Sequence, residues 1–294
     1  MFNFFRILFS PVIAILDFIT KYFKTIVFLT IMYFIFVDTN ESLTDTNSFA
    51  NLQKIELSGP ILDVSKTLED IEKAKLDKNI KGVLLLVNSP GGAVAPSVEL
   101  AYAIKELKQI KPVVVYASGV IASGSYYASI WANKIIANPG SMVGSIGVIM
   151  QGVNAEELMS KIGVSTQTVK AGKFKESGTP TRKWTDFEEK QLQSVIDDTY
   201  NMFISDVAEA RKLDVKNHTQ FADAKIFTSK QAKEVGLVDE VATISFAQSE
   251  LATLSGVENP VWKKEDKFDK FMDRLVSETI SNVSMNFISV LKAY

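Results

Sequence analysis

The feature that most constrains the fold is the regular alternation of short apolar runs with amphipathic segments through the middle of the chain. Runs rich in Val, Ile and Leu, typical of buried strands, lie at residues 54–57, 82–87, 111–117 and 134–137. Segments with apolar residues at helical spacing lie among them, at residues 67–76, 96–110 and 123–132. Such alternation favours a parallel sheet covered by helices, so we expect an α/β fold.

Helical patterns continue towards the C-terminus. A long helix is expected to begin near Thr185, because Thr185 and Glu188 have the spacing of a capping box ahead of an apolar face. A short helix is expected at residues 228–235, closed by Gly236. Residues 268–287 carry an apolar stripe at helical spacing, which predicts a helix packed on another part of an assembly, with membrane contact as the alternative.

The N-terminal residues 2–37 are crowded with Phe, Ile, Leu and Val. The uncharged run at 25–37 is shorter than the roughly 20 residues of a bilayer span. A start at residue 18 reaches that length and includes Lys21 and Lys24, whose amines can extend to the headgroups. We therefore expect a membrane anchor at 1–37 that spans at about 18–37.

Basic residues precede this run and acidic residues follow it, which predicts a cytoplasmic N-terminus and an extracytoplasmic remainder. No small-x-small site follows the run, which favours an anchor over a cleaved signal peptide. Two alternatives remain: a buried helical hairpin of a soluble protein, and a separate interfacial helix at 2–16 that ends near Asp17. The polar residues 38–51 are expected to form a linker, 52–256 the main domain, and 257–294 an amphipathic helical extension.

Composition excludes several classes of function. The net charge of −2 gives no support for a nucleic-acid partner. The absence of cysteine excludes disulfides, a thiol nucleophile and thiolate metal sites. One histidine and scattered carboxylates fail the spacing of a metal site, and no Gly-Lys-Ser/Thr ending marks a phosphate loop. We therefore expect no metal and no cofactor.

The strand at 111–117 leads to Ala-Ser-Gly-Ser-Tyr-Tyr at residues 122–127, where a helix is expected to begin. A serine at such a turn has an exposed hydroxyl and free backbone N–H groups beside it, as a nucleophile requires; a helix cap is the alternative role for Ser123. His218 lies in a polar stretch and is assigned to a surface loop, so a lysine is the natural base. Lys175 is one candidate, in competition with nearby lysines at 170, 173 and 183.

A second glycine-containing turn follows the strand at 82–87, in Asn-Ser-Pro-Gly-Gly at residues 88–92. Either it is an ordinary strand–helix turn, or a backbone N–H there approaches a substrate where no Cβ fits, as in an oxyanion hole. Gly124 has an N–H placed to serve as the other donor.

These two motifs, Gly-Ser-Ile-Gly-Val at 144–148, Phe-Thr-Ser-Lys-Gln-Ala at 227–232 and Gly-Leu-Val-Asp at 236–239 together resemble the signal peptide peptidase A family in its short, single-repeat form. The resemblance covers roughly residues 52–256. It implies a ClpP/crotonase-like fold of repeated strand–strand–helix units and a serine–lysine endopeptidase. Such an enzyme acts through an acyl-enzyme, without ATP, on remnant signal peptides and other apolar peptides, here at the inner (cytoplasmic) membrane.

The resemblance also implies roles for individual residues. Ser123 is the nucleophile and Lys175 the general base, with Gly92 and Gly124 as oxyanion donors. Gly91 shapes the turn, and the Ser145 hydroxyl orients the lysine amine. Glu176 is expected to face away from Lys175, since a carboxylate beside the amine would raise the pKa of the lysine.

The resemblance further implies a homo-oligomeric ring, because a single repeat carries both Ser123 and Lys175. In such a ring the Ser123 of one subunit forms its catalytic dyad with the Lys175 of a neighbouring subunit. Ser125 departs from the family, which usually has glycine there, and leaves Ser125 as an alternative reactive hydroxyl. Two further classes of function stay open: a crotonase-type acyl-CoA enzyme, which uses a similar oxyanion hole, and a catalytically idle membrane scaffold.

Overall fold

A computed structural model of the chain describes residues 10–37 and 49–264. One compact unit spans Ala50–Trp262. Its strands are β1 Leu52–Ser58, β2 Gly82–Ser89, β3 Val113–Ala122, β4 Lys134–Ala137, β5 Met142–Gly144, β6 Ile226–Thr228 and β7 Glu240–Val241. Its helices are α2 Ser65–Leu76, α3 Val94–Lys108, α4 Gly124–Ser129, α5 Glu156–Lys161, α6 Asp186–Arg211, α7 His218–Phe221, α8 Ser229–Glu234 and α9 Ile244–Leu254, with a 3₁₀ turn at Val215–Asn217.

The strands form one mixed sheet in which β1, β2, β3, β4 and β7 lie side by side in that order, all parallel. The ten-residue β3 pairs with β4 along its first half and with β5 at its end, where Ala122 lies opposite Gly144. Because the β2–α3 and β3–α4 connections both leave the carboxyl ends of neighbouring strands, they meet at one edge of the sheet.

Side chains alternate between two apolar layers. On β2, Val83, Leu85 and Val87 belong to the larger core, together with residues of α2, α3 and α4. Leu84 points the other way and joins a smaller cluster that includes Leu251 of α9. This period of two is what a strand covered on both faces requires.

The expected strands and helices are found within a few residues of their predicted positions, and Thr185 and Glu188 form the expected capping box at the start of α6. Two features differ. β5 pairs with β6 in antiparallel orientation, so the sheet is not wholly parallel. The long connection between these strands, residues 145–225, allows β6 to run in either direction. Helix α9, which covers the second face, was not predicted.

The N-terminal segment is described by itself as helix α1, Ser10–Val37. The helix continues through Asp17, which is exposed, so the alternative of a separate interfacial helix ending there is wrong. No helix in the ranges 10–37 and 49–264 combines the length and apolar character that a bilayer crossing demands. The predicted linker at 38–51 and the predicted extension at 257–294 lie largely outside the described residues.

Candidate active site

Ser123 occupies the turn between β3 and α4. Its backbone has φ 53° and ψ −124°, a conformation that a residue with a Cβ adopts only under strain. The Ser123 N–H donates to the Gly144 carbonyl at 2.8 Å, and the Ser123 carbonyl accepts from the Tyr127 N–H at 3.0 Å. The side chain is half-buried, and its hydroxyl makes no hydrogen bond within the described part of the chain. The turn thus presents an unengaged hydroxyl.

The loop after β2 packs its backbone directly against this turn. Gly91 has φ +90°, and a Cβ there would lie 2.6 Å from the Gly124 nitrogen and 2.8 Å from the Ser123 Cβ. A Cβ on Gly92 would lie 2.1 Å from the carbonyl oxygen of Ile61. Ile61 also holds the loop, because its N–H donates to the Gly91 carbonyl at 2.9 Å. Neither glycine can therefore carry a side chain without moving the backbone around it.

Two backbone donors beside Ser123 are unused. The Gly91 N–H donates to the Ser89 hydroxyl at 3.2 Å, whereas those of Gly92 and Gly124 donate to no atom of the described residues. A Cβ on Gly124 would lie 3.3 Å from the Gly92 nitrogen, so the two sites are close together. Gly124 is buried, and a buried N–H without a partner is rare unless a ligand takes it. Such a pair can stabilise an oxyanion.

Ser145 follows the residue that anchors Ser123. It too has a positive φ, 50°, and its N–H donates to the Lys225 carbonyl at 2.7 Å. Its side chain is half-buried, and its hydroxyl has no partner among the residues that the structure describes. The structure therefore places Gly91, Gly92, Gly124 and Ser145 around Ser123.

Lys175 is not joined to this group. It lies on an exposed turn whose backbone is closed by a hydrogen bond from the Lys175 N–H to the Gly172 carbonyl at 3.3 Å. Its amine makes no hydrogen bond or ion pair within 10–37 or 49–264. Of the competing lysines, Lys170 pairs with Glu176, and Lys173 lies 4.5 Å from the centre of the Phe187 ring.

A charged cluster supports the Lys175 turn. Arg182 contacts the Glu176 carboxylate at 3.2 Å and binds the buried Glu188 carboxylate with both terminal nitrogens, at 2.8 and 2.9 Å. Lys170 forms a second ion pair with Glu176. Hydrogen bonds from Lys170 and then Arg182 lower the pKa of Glu176 from 4.5 to about 2. Glu176 is thus held by two cations other than Lys175.

The remaining candidates do not offer a reactive group. Ser125 is fully buried, and its hydroxyl is engaged with the backbone of Ala122 and Ser89. It therefore lacks the free hydroxyl that a nucleophile needs. His218 is half-buried in α7, with its ring edge-on to Tyr200. No group of acidic or histidine side chains in the described residues could hold a metal ion.

Sequence reasoning did not find the Ser125–Ser89 contact or the role of Arg182. The capping-box spacing located Glu188, but that pattern concerns only the helix terminus. Nothing in the spacing of Glu176, Arg182 and Glu188 distinguishes them from solvated surface charges.

Comparison with known proteins places these residues in a family context. The family model for Peptidase family S49 matches residues 105–258. A protein of Methanocaldococcus jannaschii whose name describes it as a protease is 47% identical over 66% of this chain and 61% of its own length. One of Synechocystis, also named a protease, is 37% identical over 72% of this chain and 77% of its own.

A protein of Enterococcus faecium named as a signal peptide peptidase is 34% identical over 69% of this chain and 63% of its own length. The matched region thus spans about three fifths of the archaeal and enterococcal relatives. Among solved structures, a mutant of ClpP1 from Listeria monocytogenes aligns with a TM-score of 0.44 at 16% identity, over 69% of this chain and 95% of that one.

The cluster around Glu176 predicts an acid-dependent loss of stability. Because the folded pKa lies below the ordinary 4.5, the ionised carboxylate stabilises the fold fully above about pH 4.5, and this contribution is lost as pH falls towards 2. Glu176→Gln should lower Tm at pH 6, and its difference from the parent protein should shrink between pH 4.5 and 2. Glu157→Gln, an exposed carboxylate with no ion pair in the described segments, is the control. A Glu176→Gln difference that stays constant over this pH range would contradict the assignment.

Proposed function

The chain belongs to peptidase family S49, and on that basis we propose that it is a serine endopeptidase whose nucleophile is Ser123. The observation that carries the proposal is the Ser123 hydroxyl at a strained turn, which, like the flanking N–H groups of Gly92 and Gly124, has no hydrogen-bond partner among the described residues. No observation favours the acyl-CoA alternative. Turnover of an apolar peptide would separate the peptidase from the idle scaffold.

In the proposed reaction the Ser123 oxygen forms a bond to the scissile carbonyl carbon while its proton passes to a lysine amine. The carbonyl oxygen becomes an oxyanion that accepts hydrogen bonds from Gly92 and Gly124. The C–N bond then breaks, and the lysine returns the proton to the leaving amine. Water, deprotonated by the same lysine, hydrolyses the acyl-enzyme and restores Ser123.

We propose Lys175 as this base, supplied by a neighbouring subunit of a head-to-tail ring. A solvated lysine titrates near 10.4, so a general base at neutral pH must be desolvated. In the single chain Lys175 is exposed and has no partner in the described segments. This fits a lysine whose surroundings are supplied by another subunit. We expect the Ser145 hydroxyl, which has no partner among the described residues, to accept a hydrogen bond from the incoming amine or to donate one to it.

Exposed apolar side chains on the segment between the Ser123 turn and Lys175 support such an interface. They are Ile149, Val153, Leu158, Ile162, Val164 and Val169. A continuous segment with this many exposed branched side chains is typical of a surface that another chain covers. A neighbouring copy on this segment would also exclude water from Lys175.

We propose apolar peptides, including remnant signal peptides, as the substrates. The enterococcal relative is named as a signal peptide peptidase. In this chain the exposed side chains of Leu62 and Val94 flank Gly92, where an extended peptide would pass the oxyanion donors. Apolar side chains at that point favour a peptide with apolar residues.

The ring hypothesis predicts complementation between two inactive variants. Ser123→Ala and Lys175→Ala should each lose about a thousandfold or more of the parent kcat/KM. Co-expressed in equal amounts, they should recover about a quarter of parental activity per assembly, because one interface in four pairs an intact serine with an intact lysine. Peptide turnover by purified mixed assemblies is the measurement.

The matched control pairs Ser123→Ala with the double variant Ser123→Ala/Lys175→Ala, which has no intact serine and should stay inactive. If verified mixed assemblies of the two single variants remain inactive, the base and the nucleophile belong to one subunit and the interface proposal fails.

We also propose that α1 anchors the chain with the catalytic unit outside the cytoplasm, a hypothesis that rests on the charge asymmetry around residues 25–37. Protease added to protoplasts should digest the domain without lysis. Full protection until lysis would overturn this orientation.

A further inference from the structure

The backbone ladder between β2 and β3 is interrupted beside the Ser123 turn. Val87 pairs with Ala117, and the next pair is Ser89 with Ile121, so the register shifts between them. Asn88 fills part of the gap, because its side-chain oxygen accepts from the Val120 N–H at 3.0 Å. The end of β2, which leads into the Gly91–Gly92 loop, therefore lacks regular ladder bonds to β3, although it stays paired with β1 as far as Asn88.

Ser125 bridges the ends of the two strands just beyond this gap. Its side chain is fully buried, and its oxygen accepts from the Ala122 N–H at 2.9 Å. The hydroxyl has the Ser89 carbonyl at 2.7 Å and the Ala122 carbonyl at 2.9 Å as acceptors, and its one proton favours the shorter contact. One side chain thus joins the residue before the nucleophile to the end of β2.

The connection continues from Ser89 to the glycine loop. Ser89 is itself fully buried, and its hydroxyl accepts from the Gly91 N–H at 3.2 Å. Gly91 packs on Ser123 and Gly124 too closely for a Cβ. Displacement of Ser89 would therefore be passed on to the Gly92 N–H.

We propose that Ser125 is a positioning residue that sets the Gly92 N–H relative to the Ser123 oxygen through Ser89 and Gly91. The inference rests on the proposed function of Ser123 and Gly92. An oxyanion donor works within a narrow range of about 2.7–3.1 Å, and transition-state charge is more sensitive to that distance than substrate binding is. The loss of Ser125 should therefore reduce kcat and leave KM little changed.

Ser129 provides a matched control on the same helix. It is equally buried, and its hydroxyl donates to the Ser125 carbonyl at 2.7 Å, one helical turn back, without touching the glycine loop. Ser129→Ala and Ser125→Ala each remove one buried hydroxyl from α4. A purely structural role would make the two variants alike in kcat.

The experiment measures kcat and KM for apolar-peptide hydrolysis by Ser125→Ala, Ser129→Ala, Ser89→Ala and Ser123→Ala in the full chain, with active sites counted by a fluorophosphonate. Ser125→Ala is expected to lose about ten- to a hundredfold in kcat per labelled site, with KM within about threefold. Ser129→Ala should keep kcat within about threefold. If Ser125→Ala does not fold, Ser89→Ala tests the same connection, since it removes the acceptor for the Gly91 N–H and should show the same kcat loss.

The double variant Ser89→Ala/Ser125→Ala should lose less than the product of the two single losses, because both act on one loop. Parental kcat per site in Ser125→Ala or Ser89→Ala, or an equal kcat loss in Ser129→Ala, would overturn the inference. Activity that survives in Ser123→Ala would instead overturn the proposed function itself.

Discussion

The candidate site depends on one close contact between two pieces of backbone. Gly91 lies so near the Ser123–Gly124 turn that it has no room for a Cβ, and the backbone of Ile61 leaves none at Gly92. The packing of the two pieces fixes the directions of the Gly92 and Gly124 N–H groups. Among the described residues neither N–H has an acceptor, and the Ser123 hydroxyl beside them has no partner. Donors that are fixed before a substrate arrives need no reorganisation when negative charge develops.

The sheet is what brings these loops together. β2 and β3 are parallel neighbours, so the turns that follow them emerge at the same edge. The end of β3 then changes partner from β4 to β5, which delivers Gly144 and Ser145 to the Ser123 turn. A fold with apolar layers on both faces can tolerate the strained conformations of Ser123 and Ser145, because the surrounding packing stabilises them.

Local patterns predicted much of this arrangement, because strands, helices and caps leave periodic signals. The strand at 82–87, the helix at 123–132 and the Thr185 capping box follow from such signals, and paired glycines indicate where backbones approach. Contacts between residues distant in sequence leave no such periodic signal. The Ser125–Ser89 hydrogen bond spans 36 positions, and the antiparallel β5–β6 pair joins strands that lie far apart in the chain. The exposure of Lys175 in the single chain could not be predicted either, since the sequence does not distinguish a solvated lysine from one that a partner surface covers.

The most direct test of the central claim is to map the adduct of a fluorophosphonate probe on the full chain by peptide mass spectrometry at neutral pH. The account predicts one modified residue, Ser123, with labelling that is strongly reduced in Lys175→Ala and unaffected in Lys183→Ala. An adduct on Ser125 or Ser145 in protein that hydrolyses peptides, or labelling of Ser123 that does not depend on Lys175, would contradict it.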